Sequence, residues 1–363
     1  MDQLPLIIIG KIVGYLELIV DRMFVTLLYI INNNFILNRR QITIDIQTFA
    51  QQGLTPDDLK RQAYLRTLNI DSLRKVNFRY SMGRTSPFSD MKQQEREIKG
   101  IIDQFIDQRS DVKVNLSVIR IEPFSLLHLP LTSLSIYDTT VNFDQLPITL
   151  THLKMVGNTL TQPLNINGQL SMSLKILDIK NVHNWNHPIT PGSLPSTLEK
   201  LLLPNLFNHP ITADALPSSL LTLGFGETFH HPLNYTGQLP PSLTILDLSR
   251  VREPYIYPLL SLPTSLTTIY LPRLYRGVIY HTPLLHLYAY DWTIIAGTQY
   301  PNLKSLSINT YKYGNNDLEP PWTTLFPNME KLIVKDLMKP LDISTMPMSQ
   351  LRHCSLLRNV RHE

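Results

Sequence analysis

The stretch "LPSSLLTLGFGETFHHPL", residues 216–233, decides how this chain folds. After a proline turn it continues through Leu220, Leu223 and Phe225 in a Leu-x-x-Leu-x-apolar pattern, and it closes with an aromatic-x-x-Pro-Leu turn. Leu223 and Phe225 alternate at a period of two, which predicts one short strand with a single buried face, while Leu220 enters the core from the preceding turn. One strand cannot bury that face alone. The stretch therefore predicts one unit of a larger repeating structure.

The same pattern recurs along most of the chain. Consecutive units begin 22 to 24 residues apart between Leu150 and Leu266. Stacked units pair their strands in parallel and share one apolar core, which is the architecture of a leucine-rich-repeat solenoid. We expect about eleven units, with looser copies at Leu65/Leu68/Ile70 and Leu116/Ile119/Ile121. Their apolar triads are Leu131/Leu134/Ile136, Leu150/Leu153/Met155, Leu174/Leu177/Ile179, Leu198/Leu201/Leu203, Leu220/Leu223/Phe225, Leu243/Leu246/Leu248, Leu266/Ile269/Leu271, Leu284/Leu287/Ala289, Leu303/Leu306/Ile308, Met329/Leu332/Val334 and Leu351/Cys354/Leu356.

Proline and unit length restrict the rest of each coil. Most units open with a proline, which cannot continue a helix, and 22 to 24 residues leave little room for a helix on the outer side. We therefore expect a mainly β solenoid with one short strand per coil, preceded by a small α-helical N-terminal module. The expected organisation is a helical segment at 1–45, a connecting region at 46–120 with a helix near 90–108, and the solenoid at 121–363.

Several units share a further turn, which carries a resemblance to a known family. Residues 206–212 read "LFNHPIT", with near copies "NWNHPIT" at 184–190 and "TFHHPLN" at 228–234. From about 146 to 271 the units resemble FNIP repeats, a leucine-rich-repeat variant abundant in social amoebae, whose unit ends in Phe-Asn-x-Pro-Ile. The resemblance implies that the turn is structural and that the protein acts by binding other proteins. The turn residues that it assigns are Phe207, Asn208, Pro210, Phe229 and Pro232.

The three turns also place histidines one coil apart. His187, His209 and His231 are separated by 22 residues each, so stacking brings them into one column about 5 Å apart. A zinc ladder and neutral polar stacking are the two interpretations. A structural zinc site needs four convergent ligands, and Gln162 holds the same position one coil earlier, so we predict no metal and no cofactor. Asn208 and its counterpart Asn186 are expected to satisfy backbone groups at the turn.

The sequence contains no recognisable catalytic motif. It lacks a phosphate-binding loop, a Ser-His-Asp order and paired cysteines, which predicts that the protein is not an enzyme. The net charge of +4 comes entirely from residues 1–120, so the repeat region is neutral. A nucleic-acid surface would carry a basic stripe there, and we expect none.

The single cysteine, Cys354, cannot form an intramolecular disulfide, which indicates a reducing compartment. The apolar pattern around it predicts a buried thiol. The apolar run at residues 4–20 is interrupted by Lys11 and Glu17, which favours an amphipathic helix over a signal peptide or a membrane span. We therefore expect a cytoplasmic protein without a membrane partner.

The same N-terminal run resembles the opening of an F-box, Leu-Pro-x-x-Ile-x-x-x-Ile-x-x-Tyr-Leu. The resemblance implies contacts with the small adaptor of a cullin ubiquitin ligase, and hence a substrate receptor. The implied adaptor-binding residues are Leu4, Pro5, Ile8, Ile12 and Leu16. An F-box continues with a tryptophan that "LLYIINNNFIL" from Leu27 lacks. The alternative is an interaction scaffold without a ligase link, in which these helices only cap the solenoid.

The residue between the last two apolar positions of each unit points away from the core, and this defines the surface of the open sheet. We call this set the face row: Lys154, Asp178, Leu202, Gly224, Asp247, Tyr270, Tyr288, Ser307 and Ile333. Tyrosines are concentrated between residues 255 and 300, including Tyr255, Tyr257 and Tyr290. They are expected either to pack against the less regular coils or, with Lys154, Asp178, Leu202, Asp247, Tyr270, Tyr288 and Tyr290, to form a partner-binding face.

Overall fold

The computed structural model describes residues 41–45, 75–81, 99–100, 102, 113–119, 130–137, 146–159, 163–164, 170–280, 283–291, 295, 299–311, 321–337, 346–347 and 349–356. The chain divides into two compact units, Met1–Ser135 and Ile136–Glu363. The F-box-like run, with its proposed adaptor contacts, lies outside the described residues. None of the helices that the structure describes has both the length and the apolar character needed to cross a membrane.

Before Ser133, the described residues of the first unit include three parallel strands in chain order. They are β1 Gln41–Asp45, β2 Lys75–Ser81 and β3 Lys113–Ile119. Residues 41–45, the end of the segment expected to be helical, form a strand because Ile42 and Ile44 alternate with polar residues. Within the helix expected near 90–108, Lys99, Gly100 and Ile102 are helical, and the remaining residues lie outside the described ranges.

The second unit is a parallel β solenoid, as the sequence predicts. Strand β4, Ser133–Tyr137, spans the boundary of the two units. From β5 onward each strand pairs with the next in parallel, so strand order follows chain order. These strands are β5 His152–Thr159, β6 Ile176–His183, β7 Lys200–Leu202, β8 Thr222–Gly224, β9 Ile245–Asp247, β10 Thr268–Tyr270, β11 His286–Ala289, β12 Ser305–Tyr311, β13 Lys331–Leu337 and β14 His353–Leu356. A four-residue helix, α1 at Trp322–Leu325, precedes β13.

The predicted apolar triads of the β5 to β13 coils form the core of this solenoid. Leu198, Leu201 and Leu203 in the β7 coil are fully buried, and the triads of the β8 and β9 coils are at most 1% exposed. In-register pairing places the second residue of each triad beside its counterpart, as in Leu201 beside Leu223. The apolar area that each strand cannot bury alone is therefore covered by the neighbouring coils.

A hydroxyl ladder connects the proline turns that open the coils. The Oγ of Ser219 donates to the carbonyl oxygen of Leu198 at 2.7 Å, and Ser242 repeats this contact with Leu220 at 2.8 Å. Ser265 does the same with Leu243 at 2.7 Å. Each hydroxyl satisfies a carbonyl that the turn leaves without a strand partner. This contact explains why a serine precedes the first leucine of these units.

The expectation of a buried Cys354 is wrong. Its register with Leu332 is the predicted one, but the thiol is exposed. Within the described part of the chain β14 is the final strand, so its outer side is not covered by a further described coil.

Candidate interaction surface

The turn quoted above forms a corner of the coil, which we define as the segment from a buried aromatic residue to the buried aliphatic residue four positions later. Five such aromatic residues stack from coil to coil, with neighbouring centroids 5.8, 6.2, 6.3 and 6.1 Å apart. All are at most 3% exposed. In order they are Trp185, Phe207, Phe229, Tyr255 and Tyr275. The aromatic column is therefore core packing, and a partner cannot reach it.

Asparagine side chains link the corners of the β6, β7 and β8 coils. Oδ1 of Asn186 accepts the backbone N–H of Asn208 at 2.9 Å, and Oδ1 of Asn208 accepts that of His230 at 3.0 Å. These amides replace the backbone partners that a strand would supply. The structural role expected for Asn208 and Asn186 matches these contacts.

The histidine column is part of the same arrangement. Nε2 of His209 lies 3.2 Å from the carbonyl oxygen of Asn186, and Nε2 of His231 lies 3.2 Å from that of Asn208. The imidazoles of His209 and His231 thus each direct one nitrogen at a carbonyl oxygen of the preceding coil. The described residues contain no group of three His, Cys, Asp or Glu side chains that could hold a metal ion. Of the two interpretations, the geometry favours polar packing over a zinc ladder.

In the corners of the β9 and β10 coils, backbone contacts take the place of the asparagine bridges. Tyr255 pairs with Tyr275 and Leu259 with Ile279 in isolated parallel bridges. Gly277 makes this approach possible, because a Cβ there would lie 2.4 Å from the carbonyl oxygen of Tyr257. The hydroxyl of Tyr255 donates to the carbonyl oxygen of His231 at 2.8 Å, joining the two kinds of corner.

A cavity of about 480 Å³ lies beside the β6 corner. Its polar side chains are His187, Thr190 and Ser193, with no carboxylate in the lining to orient the imidazole for acid-base work. In the β8 coil Gln238 holds the place of Ser193, and its Nε2 donates to the carbonyl oxygen of Ile211 at 2.9 Å. Ser193 is shorter, and its buried Oγ has no hydrogen-bond partner among the described residues.

The face row forms one line across the sheet. Register pairs its members strand by strand, from Lys154 beside Asp178 to Ser307 beside Ile333. Most of the described side chains in it are partly exposed, whereas Gly224 and Ser307 are buried. The intervening pairs are Asp178–Leu202, Leu202–Gly224, Gly224–Asp247, Asp247–Tyr270, Tyr270–Tyr288 and Tyr288–Ser307.

Two tyrosines make an aromatic platform in this row. The rings of Tyr270 and Tyr288 stack with centroids 4.0 Å apart and an interplanar angle of 10°. Burial, together with the Tyr288 hydroxyl and the Asp247 carboxylate, raises the pKa of Tyr270 to about 12. Further along the same two coils the Arg273 guanidinium lies 4.6 Å from the centroid of the Tyr290 ring. Tyr270 is therefore uncharged at neutral pH, and the platform borders the Asp247 carboxylate.

The tyrosines between residues 255 and 300 differ in burial. Tyr255, Tyr275 and Tyr300 are buried and pack in the core, whereas Tyr270 and Tyr288 remain partly exposed on the sheet. Strand position decides the outcome, because residues between the second and third apolar positions point outward. Sequence reasoning could have separated the two sets by repeat position alone.

Sequence reasoning missed a polar network that follows the strands. Arg250 donates to the carbonyl oxygen of Lys180 at 2.9 Å and to the side chain of Asn205. Asn205 donates to Glu227 at 2.9 Å, and Glu227 pairs with Arg252 at 3.0 Å. Asn205, Glu227 and Arg250 each stand two residues after the third apolar position of their unit, and this common offset is the signal that could have found them.

Comparison with protein families gives one match, to the FNIP repeat, over residues 207–250. A comparison with curated proteins gives no significant match. Among solved structures, the chain is similar to CroV588, described as a novel circular LRR protein. It is 17% identical over 73% of this chain and 47% of that one, with a TM-score of 0.32. The TLR13–ssRNA13 complex is 14% identical over 79% of this chain and 47% of that one, with a TM-score of 0.43.

This chain thus spans less than half of the length of either structure. The family match covers the corners of the β7 and β8 coils and the start of the β9 coil. Together with the parallel coils, it shows a repeat solenoid with an FNIP-repeat match within residues 207–250.

Proposed function

We propose that this protein is a non-catalytic binding module whose open sheet holds a protein partner along the face row. The observation that carries the proposal is the Tyr270–Tyr288 stack, whose rings lie 4.0 Å apart on the sheet surface and outside the core. Tyrosine supplies contact area and a hydroxyl at low cost in side-chain entropy, and it is enriched where binding energy concentrates. Strand register fixes the platform in place, so little ordering is needed on binding.

The surrounding row supports the same proposal. It presents charged, apolar and aromatic side chains in a fixed line, with Lys154 and Asp178 at one end and Tyr288 toward the other. The corners, by contrast, commit their aromatic rings and amides to neighbouring coils. A partner-binding face requires a rigid surface with varied side chains that are not needed to hold neighbouring coils together.

Site-specific photo-crosslinking in cells tests the proposal. A benzophenone amino acid at position 288 reports on the face, and one at Tyr235, which is 62% exposed on a loop, is the matched control. We expect a discrete crosslinked protein from position 288 that is absent from position 235. Equal crosslinking from both positions, or crosslinks from position 235 alone, would remove the face as the binding surface.

A second candidate adds a ligase function to the same module. The resemblance of residues 4–21 to an F-box opening supports a substrate receptor of a cullin ubiquitin ligase, and the alternative is a scaffold with no such link. Co-purification of the full chain with the cullin adaptor separates the two. The ligase function requires an association that Leu4→Asp with Ile12→Asp abolishes while the thermal unfolding temperature is unchanged. An adaptor that fails to co-purify leaves the scaffold.

We also propose that FNIP-type coils extend beyond the matched residues to about 146–271, and that the protein is cytoplasmic. The proline, leucine and corner positions outside the match support the first point, and the single cysteine supports the second. Imaging of a tagged full chain tests the location, and secretion of the tagged protein would contradict it.

A further inference from the structure

We infer that the partner contributes an extended segment with basic residues at positions i and i+4 and an apolar residue at i+2, lying across strands β6 to β9. The inference rests on the proposed function and names the chemistry of the partner. It follows from the spacing of two carboxylates in the face row, Asp178 and Asp247, and from what lies between them.

The two carboxylates share one local arrangement. Oδ1 of Asp178 accepts the backbone N–H of Lys180 at 3.3 Å, and Oδ1 of Asp247 accepts that of Ser249 at 2.9 Å. Both carboxylates hold the same register position of the sheet, although β6 continues to His183 and β9 ends at Asp247. Within the described residues, Oδ2 of Asp247 receives no hydrogen bond, and Oδ2 of Asp178 has only Lys180 at 3.8 Å. Each aspartate therefore retains acceptor capacity for a cation.

The two positions of the face row between them are apolar, and the polar network of Asn205, Glu227 and Arg250 lies beyond the row toward the carboxyl ends of the strands. Leu202 and Gly224 occupy the two intervening positions of the row. Leu202 lies over the glycine, since a Cβ added at Gly224 would be 2.7 Å from its Cδ2. Lys200 stands two residues before Leu202 on the same side of the strand and disfavours a third basic residue at the centre. The middle of the segment is accordingly apolar.

Strand geometry sets the spacing. Asp178 and Asp247 are three strand intervals apart, which is about 14 Å at about 4.8 Å for each interval. An extended chain places side chains on one side every ~6.8 Å, so residues i and i+4 are ~14 Å apart. In a helix that length corresponds to about nine residues, or two and a half turns, which puts the two side chains on opposite faces. The geometry thus selects an extended segment.

The aromatic platform adds a contact for the segment one strand beyond Asp247. Tyr270 pairs with Asp247, so the second cation of the segment lies between a carboxylate and a ring. Attraction to the ring face adds to the ion pair, and both weaken when the site is exposed to salt.

Selection of random twelve-residue peptides displayed on phage, on the full chain, tests the inference. A second selection uses Asp178→Asn with Asp247→Asn, which removes both charges and keeps the Oδ1 acceptors. The matched control is Asp214→Asn with Glu253→Gln, because it removes the same charge from two exposed loop positions. Thermal unfolding of all variants confirms that they remain folded.

We expect the wild type and the control to select Lys or Arg four residues apart around an apolar residue, and the face variant to lose this pattern. The best synthetic peptide should bind the face variant at least about tenfold more weakly, with a smaller loss for the control. The same sequences selected on all three proteins, a different spacing of basic residues, or no selected peptide would overturn the inference. Persistent photo-crosslinks at position 288 would then show that the face binds a partner of another chemistry.

Discussion

The corners of the β6 to β8 coils and those of the β9 and β10 coils build the same column with different polar contacts. In the first group Asn186 and Asn208 bridge successive coils through side-chain amides. In the second group backbone bridges join Tyr255 to Tyr275 directly. Aromatic stacking continues through both groups at about the same spacing, 5.8 to 6.3 Å. Apolar packing therefore fixes the corner. Its backbone polar groups can be satisfied either by asparagine side chains or by backbone bridges.

The largest loss of stability should come from a side chain added at Gly226, just before the β8 corner, where the backbone approaches that of the β7 coil. A Cβ at Gly226 would lie 1.9 Å from the carbonyl oxygen of Pro204, and backbone atoms cannot yield as a side chain can. We expect Gly226→Ala to lower the free energy of unfolding by more than about 4 kcal/mol in urea titrations. Gly192→Ala is the control, because a Cβ there meets nothing within 4 Å and only its φ of +77° is unfavourable. Equal losses for the two variants would show that the approach is not limiting.

Substitutions in the aromatic column should cause the next largest loss in the free energy of unfolding. Phe207 is fully buried and stacks between Trp185 and Phe229, so Phe207→Ala is expected to cost about 3 to 4 kcal/mol. Tyr275→Ala in the second group should cost a similar amount if packing is the common element. Urea titration of both variants makes the comparison. A loss below about 1 kcal/mol at either position would mean that the column does not hold that corner.

The two groups should differ at high pH, because only the second has tyrosines in the aromatic column. Burial is the main cause that raises the pKa of Tyr255 and Tyr275 above the ordinary value near 10. A raised folded pKa means that the stabilisation is complete below about pH 10 and is lost as pH rises, because the unfolded chain ionises first. By pH 11 we expect a loss of about 1 kcal/mol for each tyrosine. Urea titrations between pH 8 and 11 should show a shallower decline for Tyr255→Phe, and an unchanged decline would contradict the assignment.

The amide bridges should have the smallest effect. Asn208→Ala leaves the N–H of His230 without its side-chain acceptor at an exposed position, so we expect a loss of about 1 kcal/mol. Ile256, which holds the equivalent position in the second group and is 54% exposed, is the matched site. Ile256→Ala should change the stability by less than about 0.5 kcal/mol. Thermal and urea unfolding measure both variants. A larger loss of stability for Ile256→Ala than for Asn208→Ala would contradict the role assigned to the amide bridges.

The sequence could predict those features that depend on the regular spacing of apolar residues. The triads, the parallel coils and the face row follow from which residues repeat at fixed positions, since alternation determines burial. The buried Phe207 and the polar role of Asn208 follow from the corner pattern in the same way.

Other features depend on distances between coils, which a period does not encode. Gly226 is required by the backbone of the preceding coil, and Ser219 by a carbonyl 21 residues away. Strand β1 lies in the segment expected to be helical, and β2 and β3 lie in the connecting region, where no proline-leucine signature marks the strand positions. Cys354 follows the apolar pattern but occupies the final described strand, where the pattern no longer implies burial.

The central claim is that the face binds and the corners support it. Its most direct test is the affinity of the protein captured at position 288 for two double variants of the full chain. Tyr270→Ala with Tyr288→Ala should weaken binding at least about tenfold, because it removes the aromatic platform. His209→Ala with His231→Ala should change it less than about twofold, because those imidazoles contact only neighbouring coils. Loss of binding in the histidine variant with full binding in the tyrosine variant would contradict the account.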